Sequence, residues 1–203
     1  MIVKVFRVCV VLVLVFLAAF SDIHAQLGTI KFQQVTSSNG LSYDFVHTIV
    51  RDRIGYMWFG TRAGLNRYDG FEMQVFQNNL EDSLSICANG ILDSYCDSKG
   101  DLWFGTADGL ARYDYENQNF RNYYLPHMSE GDMIVNCLGE DKNQNLWVGT
   151  ANGLYAKEAS NDYLRPISTL QPLLSKLDSI AILDLFFRDE YLFVATANDG
   201  LWR

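Results

Sequence analysis

Short runs of apolar and aromatic residues alternate along the chain with turns that are rich in Gly, Asp and Asn. The runs hold four to six residues, and none of them continues as an apolar stripe with the 3.6-residue period of a helix. Turn-bounded runs of this length are typical of antiparallel strands. The best-defined set predicts four strands, at Val46–Arg51, Tyr56–Thr61, Leu65–Tyr68 and Glu72–Phe76.

The same pattern recurs at a nearly constant interval. Its aromatic marker stands at Trp58, Trp103, Trp147 and Phe193, in steps of 45, 44 and 46 residues. A β-propeller blade of four antiparallel strands needs about 40–50 residues, so this period predicts blades. The fold class is therefore all-β, with about three full blades and a partial fourth within residues 26–203.

Each residue type in the repeat has a predicted structural role. Asp52 caps backbone amides in the turn after the first strand, where Gly55 takes a positive φ. Gly60 allows a close approach between blades beside the large ring of Trp58. Because every copy keeps an aromatic at this place, we interpret the tryptophans as packing between blades and not as platforms for sugars.

Residues 1–25 have a different pattern from the rest. Lys4 and Arg7 precede an apolar run of 13 residues, Val8 to Phe20, which ends in a short polar segment. This predicts a secretory signal peptide that is cleaved after Ala25. A retained membrane anchor is the alternative, but a spanning helix needs about 20 apolar residues. The prediction is export to the periplasm.

Charge and cysteine content narrow the function classes. The net charge is −8, and it becomes −9 without residues 1–25, so the chain would repel nucleic-acid phosphates. Cys87, Cys96 and Cys137 remain after processing, and their spacing fits no metal site. Cys96 and Cys137 fall in apolar strand-like runs and are predicted to be buried. A disulfide that involves Cys87 is left open.

The sequence offers little catalytic chemistry. His47 and His127 lie in different repeats, and neither has the neighbours of a catalytic triad or a metal site. The adjacent acids Glu81-Asp82 and Glu140-Asp141 are predicted to be turn charges, since neighbours in sequence usually point apart. The prediction is a chain without catalytic residues, metal or cofactor.

The string Asp-x-x-Gly-x-x-Trp-Phe-Gly-Thr-x-x-Gly-Leu-x-Arg-Tyr-Asp is complete at residues 52–69 and again at residues 97–114. It resembles the two-component regulator propeller repeat. The third copy departs from it at Gln144, which replaces the turn Gly. The fourth copy has Ala195 in place of Gly and two residues fewer between Asp189 and Phe193.

The resemblance implies a larger protein: seven-bladed propellers outside the inner membrane, followed by a membrane-linked histidine kinase that responds to carbohydrate. By this interpretation the chain is an incomplete part of a propeller, and the remaining blades, the kinase and an oligosaccharide are its partners. A homodimer of the parent protein also stays open. A small closed ring, with residues 29–35 as an outer strand of the last blade, is the alternative architecture.

If a ligand binds, loops on one rim of the blades are the expected place, because binding residues lie on loops held by a rigid frame. The candidates are the turns between second and third strands and the links between blades: Arg62, Asp108, Asn152, Tyr123 and Tyr124, with Asn78-Asn79 nearby. An exported propeller enzyme, such as a lyase or glycosidase, and a protein-interaction scaffold are the alternative functions.

Overall fold

The computed structural model describes residues 31–124 and 133–203. The signal peptide prediction and His127 lie outside these residues. The chain divides into two compact units, residues 1–34 and 35–203. In the first unit only residues 31–34 are described, and they are neither helix nor strand. All the strands and helices described below belong to the second unit, where a 3₁₀ turn at Ser37–Asn39 precedes the first strand.

Four antiparallel sheets follow one another along the chain, each in meander order, and we call them blades 1 to 4. Blade 1 contains β1 (Val46–Arg51), β2 (Met57–Thr61), β3 (Gly64–Tyr68) and β4 (Met73–Phe76). Blade 2 contains β5 (Ile91–Cys96), β6 (Leu102–Thr106), β7 (Gly109–Asp114) and β8 (Asn119–Tyr123). Blade 3 contains β9 (Val135–Glu140), β10 (Leu146–Thr150), β11 (Gly153–Lys157) and β12 (Arg165–Pro166). Blade 4 contains β13 (Ile182–Arg188), β14 (Tyr191–Thr196) and β15 (Leu201–Trp202).

This architecture confirms the all-β propeller prediction. The first strands of successive blades contact one another, β1 with β5, β5 with β9 and β9 with β13, so they form the inner side of the blade array. The predicted strands of blade 1 agree with the observed ones to within one residue at each end. Apart from the 3₁₀ turn at Ser37–Asn39, the described residues are helical only in the link between blades 3 and 4, in a short helix α1 (Ile167–Leu170) and a 3₁₀ segment (Pro172–Asp178).

The repeated aspartate and tryptophan are joined directly. In blade 1 the Trp58 Nε1–H donates to Asp52 Oδ2 at 2.9 Å, while Asp52 Oδ1 accepts from the backbone amides of Ile54, Gly55 and Tyr56. The same indole bond forms in blades 2 and 3, at 2.9 Å from Trp103 to Asp97 and at 3.0 Å from Trp147 to Asp141. One carboxylate therefore holds both the turn and the ring in each of these three blades.

The aromatic rings pack where blades meet, as the sequence predicted. Trp58 is fully buried and lies 4.7 Å from the Tyr113 ring and 5.5 Å from the Phe104 ring of blade 2. Trp103 is 2 % exposed and belongs to one buried cluster with Val135, Leu138 and Val148 of blade 3. Burying rings of this size contributes about 1.5–3 kcal/mol each from apolar area alone.

A second repeated feature is the glycine that follows the ring in the second strand. A Cβ added to Gly60, Gly105 or Gly149 would lie 2.7 Å from a methyl group of the next blade. The predicted close approach is confirmed at all three positions. We call these residues the contact glycines. The methyl groups belong to Ile91, Val135 and Ile182, the first residues of β5, β9 and β13, which we call the leading residues.

Departures in the third and fourth copies have local causes. Gln144 takes the turn position of the missing Gly with φ 64°, a left-handed conformation that costs a side chain energy. In blade 4 the turn between β13 and β14 contains only two residues, Asp189 and Glu190, and Asp189 has φ 53°. The shorter turn explains the two missing residues, because a two-residue hairpin replaces the aspartate-capped loop.

Cys87, Cys96 and Cys137, the cysteines among the described residues, are free. Cys87 is buried with its Sγ 3.3 Å from Thr106 Oγ1, so the disulfide left open for it is not formed. Burial raises the pKa of Cys87 to about 11 and that of Cys137 to about 12. Cys96 is half-buried rather than buried as predicted, because it ends the inner strand β5.

The residues at 31–124 and 133–203 contain no helix that is long and apolar enough to cross a membrane. No group of three or more His, Cys, Asp or Glu side chains among them could hold a metal ion.

Candidate functional site

A cleft of about 880 Å³ lies between the link that joins blades 1 and 2 and the outermost strand of blade 2, β8. The described residues that line it include five asparagines, two serines and the ring of Tyr124. The asparagines are Asn78, Asn79, Asn117, Asn119 and Asn122, and the serines are Ser83 and Ser85. Amide and hydroxyl groups with one aromatic ring suit a ligand that carries several hydroxyl groups.

The link is held against the strand by hydrogen bonds. Phe120 N donates to the Leu84 carbonyl at 2.9 Å, and Asn122 Nδ2 donates to the Ser85 carbonyl at 2.7 Å. At the start of the link, Asn78 Nδ2 donates to the carbonyls of Ile86 and Cys87 at 2.9 and 3.1 Å. Both walls of the cleft are therefore fixed to the blade, which favours a preformed site.

Three carboxylates and one guanidinium lie among the described lining residues: Asp82, Asp108, Asp114 and Arg121. Hydrogen bonds from the Asn117 side chain and from the backbone amides of Asn117 and Glu116 lower the pKa of Asp114. Arg121 Nη2 pairs with Asp162 Oδ2 at 2.5 Å. The electrostatic character of the lining is acidic.

Two of the five predicted ligand residues line this cleft. Asp108 lies on the turn between β6 and β7, and Tyr124, which is 59 % exposed, follows β8. Tyr123 lies on the other side of the strand. It is buried, packs on Trp103 at 5.4 Å and donates its hydroxyl hydrogen to Asp162 Oδ1 at 2.8 Å.

Arg62 and Asn152 occupy the corresponding turns of blades 1 and 3 and are not among the described residues that line the cleft. The Arg62 guanidinium lies 5.9 Å from the Tyr43 ring. Asn152 N donates to Thr150 Oγ1 at 3.1 Å, so its backbone belongs to the turn. The five predicted residues are thus distributed over three blades and do not form one site.

Sequence reasoning missed most of the polar lining. Asn117, Asn119 and Asn122 lie in the turn and strand at the outer edge of blade 2, a part of the repeat whose consensus has no distinctive residue. The usable signal is local composition: Asn is frequent in residues 117–122 and absent from the corresponding outer strand of blade 1, residues 73–76.

The remaining candidates for chemistry have structural roles. Glu140 accepts hydrogen bonds from the backbone and hydroxyl of Ser98, both at 2.8 Å. Its neighbour Asp141 holds Trp147 and the turn. His47 is exposed on β1 with its ring 4.7 Å from that of Phe45. The adjacent acids at 140–141 are thus engaged with different partners and are not arranged as an acid–base pair.

The chain resembles a known protein in sequence over a short segment, and it resembles solved structures in fold over most of its length. Over 65 residues, or 32% of the chain, it is 43% identical to Histidine kinase P4 from Formosa agariphila, of which it covers 5%. The extracellular domain of a protein described as a hybrid two component system from B. thetaiotaomicron superposes with a TM-score of 0.65 at 23% identity, over 85% of this chain and 24% of that one. A virginiamycin B lyase from Staphylococcus aureus superposes with a TM-score of 0.54 at 15% identity, over 79% and 50% of the two chains.

The chain spans about a quarter of the length of the first of these solved structures, and both structural similarities concern the fold alone. The family Two component regulator propeller matches residues 40–63, 85–108 and 129–152. Each matched segment covers the first two strands of a blade and the turn that follows them. The chain therefore contains three copies of the two component regulator propeller repeat.

Proposed function

We propose that this chain is a periplasmic, ligand-sensing segment of a two-component regulator and that its ligand is an oligosaccharide. The cleft beside β8 is the observation that carries this proposal. It combines amide and hydroxyl hydrogen-bonding groups, the exposed Tyr124 ring and walls fixed by hydrogen bonds. A polyhydroxylated ring needs this combination, because its hydroxyls both donate and accept while its apolar face packs on an aromatic side chain.

The proposal gives the chain a binding role and no reaction. A signal that starts in the propeller would pass to a membrane-linked histidine kinase in the same polypeptide. The parent protein would transmit it as a single chain or as a homodimer. Support comes from the family and from the identity shared with a histidine kinase over 65 residues.

Export is part of the proposal. Residues 1–25 supply the cationic start, the apolar run and the Ala25 exit of a signal peptide. The extracellular character of the similar domain from B. thetaiotaomicron agrees with this location. N-terminal sequencing of the protein recovered from the periplasm should begin at Gln26. Recovery of residue 1 in the membrane fraction would contradict export with cleavage.

Binding is expected to be weak, with dissociation constants of about 0.1–10 mM, because one open cleft buries only part of a sugar chain. Calorimetric titration with a panel of neutral and acidic oligosaccharides tests it. Tyr124→Ala and Asn119→Ala should each remove most of the affinity, since one deletes the aromatic surface and the other a hydrogen-bonding group.

Tyr163→Ala is the matched control. Tyr163 is 50 % exposed, close to the 59 % of Tyr124, and lies before β12 in blade 3, outside the described lining of the cleft. It should bind as the wild type does. Equal loss from Tyr124→Ala and Tyr163→Ala, or no binding of any oligosaccharide, would contradict the assignment of the site.

A further inference from the structure

The contacts between successive blades follow one steric rule. Each contact glycine lies in the second strand of its blade, and the leading residue of the next blade lies within 2.7 Å of the position that a Cβ would take. At Gly60 and Gly149 a side chain of the same blade, Thr48 or Cys137, lies closer still. All three leading residues are β-branched, and each has no exposed surface. At Gly105 the three atoms nearest to an added Cβ all belong to Val135: Cγ1 at 2.7 Å, the carbonyl oxygen at 3.0 Å and Cβ at 3.2 Å.

Blade 4 breaks this rule at Ala195. Ala195 pairs with Asp184 of β13 and with Leu201 of β15. In blade 2 the contact glycine Gly105 has the same neighbours in the ladder, Asp93 of β5 and Leu110 of β7. Ala195 therefore occupies the position of a contact glycine. Its methyl group is the Cβ that the contact glycines of the other three blades lack.

That methyl group determines what can pack on the outer face of blade 4. Carbon atoms in contact are about 3.5–4.0 Å apart, so the 2.7 Å approach at the other interfaces has no room for a Cβ. We propose that this face binds a β-strand whose leading residue is Gly or Ala, and that it rejects the β-branched leading residue that this chain's own blades use. The occupant is thus a strand from another blade of different sequence.

A polar contact at the interface between blades 2 and 3 gives the partner a second requirement. Asp93 Oδ2 accepts the backbone N–H of Leu138 at 2.8 Å, and Leu138 is the third residue after the leading residue Val135. Asp184 is exposed and holds the same ladder position in blade 4 as Asp93 does in blade 2. The bound strand would donate an amide to Asp184 three residues after its small leading residue.

A second copy of this chain does not meet the first requirement. Its first strand begins with Val46, which pairs with Thr61 of the same blade. The leading residues Ile91 and Val135 pair in the same way with Thr106 and Thr150 of their own blades, so Val46 is the leading residue of blade 1. Val46 is β-branched, so its methyl groups would meet Ala195. The alanine therefore selects against stacking of blade 1 of one copy on blade 4 of another, a form of specificity that works by steric exclusion.

A double-mutant cycle in blade 2 tests the steric rule inside the full chain. Gly105→Ala imitates Ala195, and Val135→Ala imitates the small leading residue of the proposed partner. Gly105→Ala should lower the urea midpoint in the wild-type background and lower it by less in the Val135→Ala background, because that variant removes the Cγ1 contact at 2.7 Å and keeps only the contacts of the carbonyl oxygen and Cβ at 3.0 and 3.2 Å. If Gly105→Ala alone does not fold, the double variant should still fold. A Gly105→Ala chain with an unchanged midpoint would overturn the proposal.

Sedimentation velocity tests the face of blade 4 itself, with a second copy as the probe. Val46→Ala gives the chain a small leading residue, so this variant should self-associate about tenfold more tightly than the wild type. Adding Ala195→Leu should abolish the gain. Equal self-association of Val46→Ala and the wild type, at any strength, would overturn the proposal.

Discussion

Replacing Trp103 tests how the repeat stabilises the blades. The ring is 2 % exposed and lies in one buried cluster with Tyr123 of blade 2 and with Val135 and Leu138 of blade 3. The Arg112 guanidinium is 5.6 Å and the Lys157 Nζ 5.7 Å from it. Truncating a buried aromatic of this size costs about 3–5 kcal/mol, so Trp103→Ala should lower the free energy of unfolding by that amount.

A second variant separates the hydrogen bond from the packing. Trp103→Phe keeps an aromatic ring but removes the Nε1–H that donates to Asp97 at 2.9 Å. Losing a hydrogen bond to a charged group costs about 1.5–3 kcal/mol. Trp103→Phe should therefore lower the free energy of unfolding by a substantial part, but not all, of the decrease caused by Trp103→Ala.

Urea unfolding followed by circular dichroism measures both variants, because the loss of Trp103 would alter a fluorescence signal directly. The control is Phe71→Ala, since Phe71 is 93 % exposed and its truncation should change stability by no more than about 0.5 kcal/mol. A loss below about 1 kcal/mol for Trp103→Ala would refute the reasoning, because a ring packed between two blades cannot be removed at so small a cost.

Three other predictions follow from the turns and the thiols. Gln144→Gly should stabilise the protein by about 0.5–1 kcal/mol in urea unfolding, because Gly adopts the left-handed conformation at little steric cost. The reverse change in the corresponding turn of blade 2, Gly100→Gln, should destabilise the protein. Burial raises the pKa of Asp141, but hydrogen bonds from Asn145, Trp147 and Asn143 outweigh it, and the net shift is below the ordinary value of 3.8. A lowered carboxylate pKa gives stability that is present above pH 3.8 and lost as the pH falls through the folded-state value. The loss of unfolding free energy in Asp141→Asn relative to the wild type should therefore be smaller below pH 3.8 than at pH 7. A loss that does not change with pH would contradict this. Since the pKa of Cys87 is raised to about 11, its alkylation at pH 8 should be much slower than in urea-unfolded protein, and equal rates would contradict the burial.

The sequence predicted the parts of the fold that depend on repetition. Asp52, Gly55, Trp58 and Gly60 recur with the same spacing in the second copy, and all but Gly55 recur in the third, so the turn, the buried ring and the close contact between blades could each be assigned to a residue type. The bond between the Trp58 indole and Asp52 was not foreseen, although the six-residue spacing is constant in three copies. The spacing alone does not show that a hairpin brings the two side chains together.

The candidate site was predicted only in part, because it depends on the non-repeated residues. Asp108 and Tyr124 could be proposed from the general rule that binding residues lie on loops. That rule also proposed Tyr123, whose side chain points to the opposite face of the strand and is buried, since neighbours in a strand alternate between faces. The path of the link over residues 77–90 decides which side chains face β8, and no local pattern in the sequence specifies that path.

The cleft beside β8 is the centre of the account, and hydrogen exchange with and without ligand tests it most directly. The oligosaccharide that gives the largest heat in the calorimetric panel should be added at a concentration above its dissociation constant, so that most of the protein is bound. Amides of residues 78–85 and 119–124 should then exchange more slowly, while those of blade 4 should not change. Protection confined to other blades, or no change at 119–124 under saturating ligand, would contradict the account.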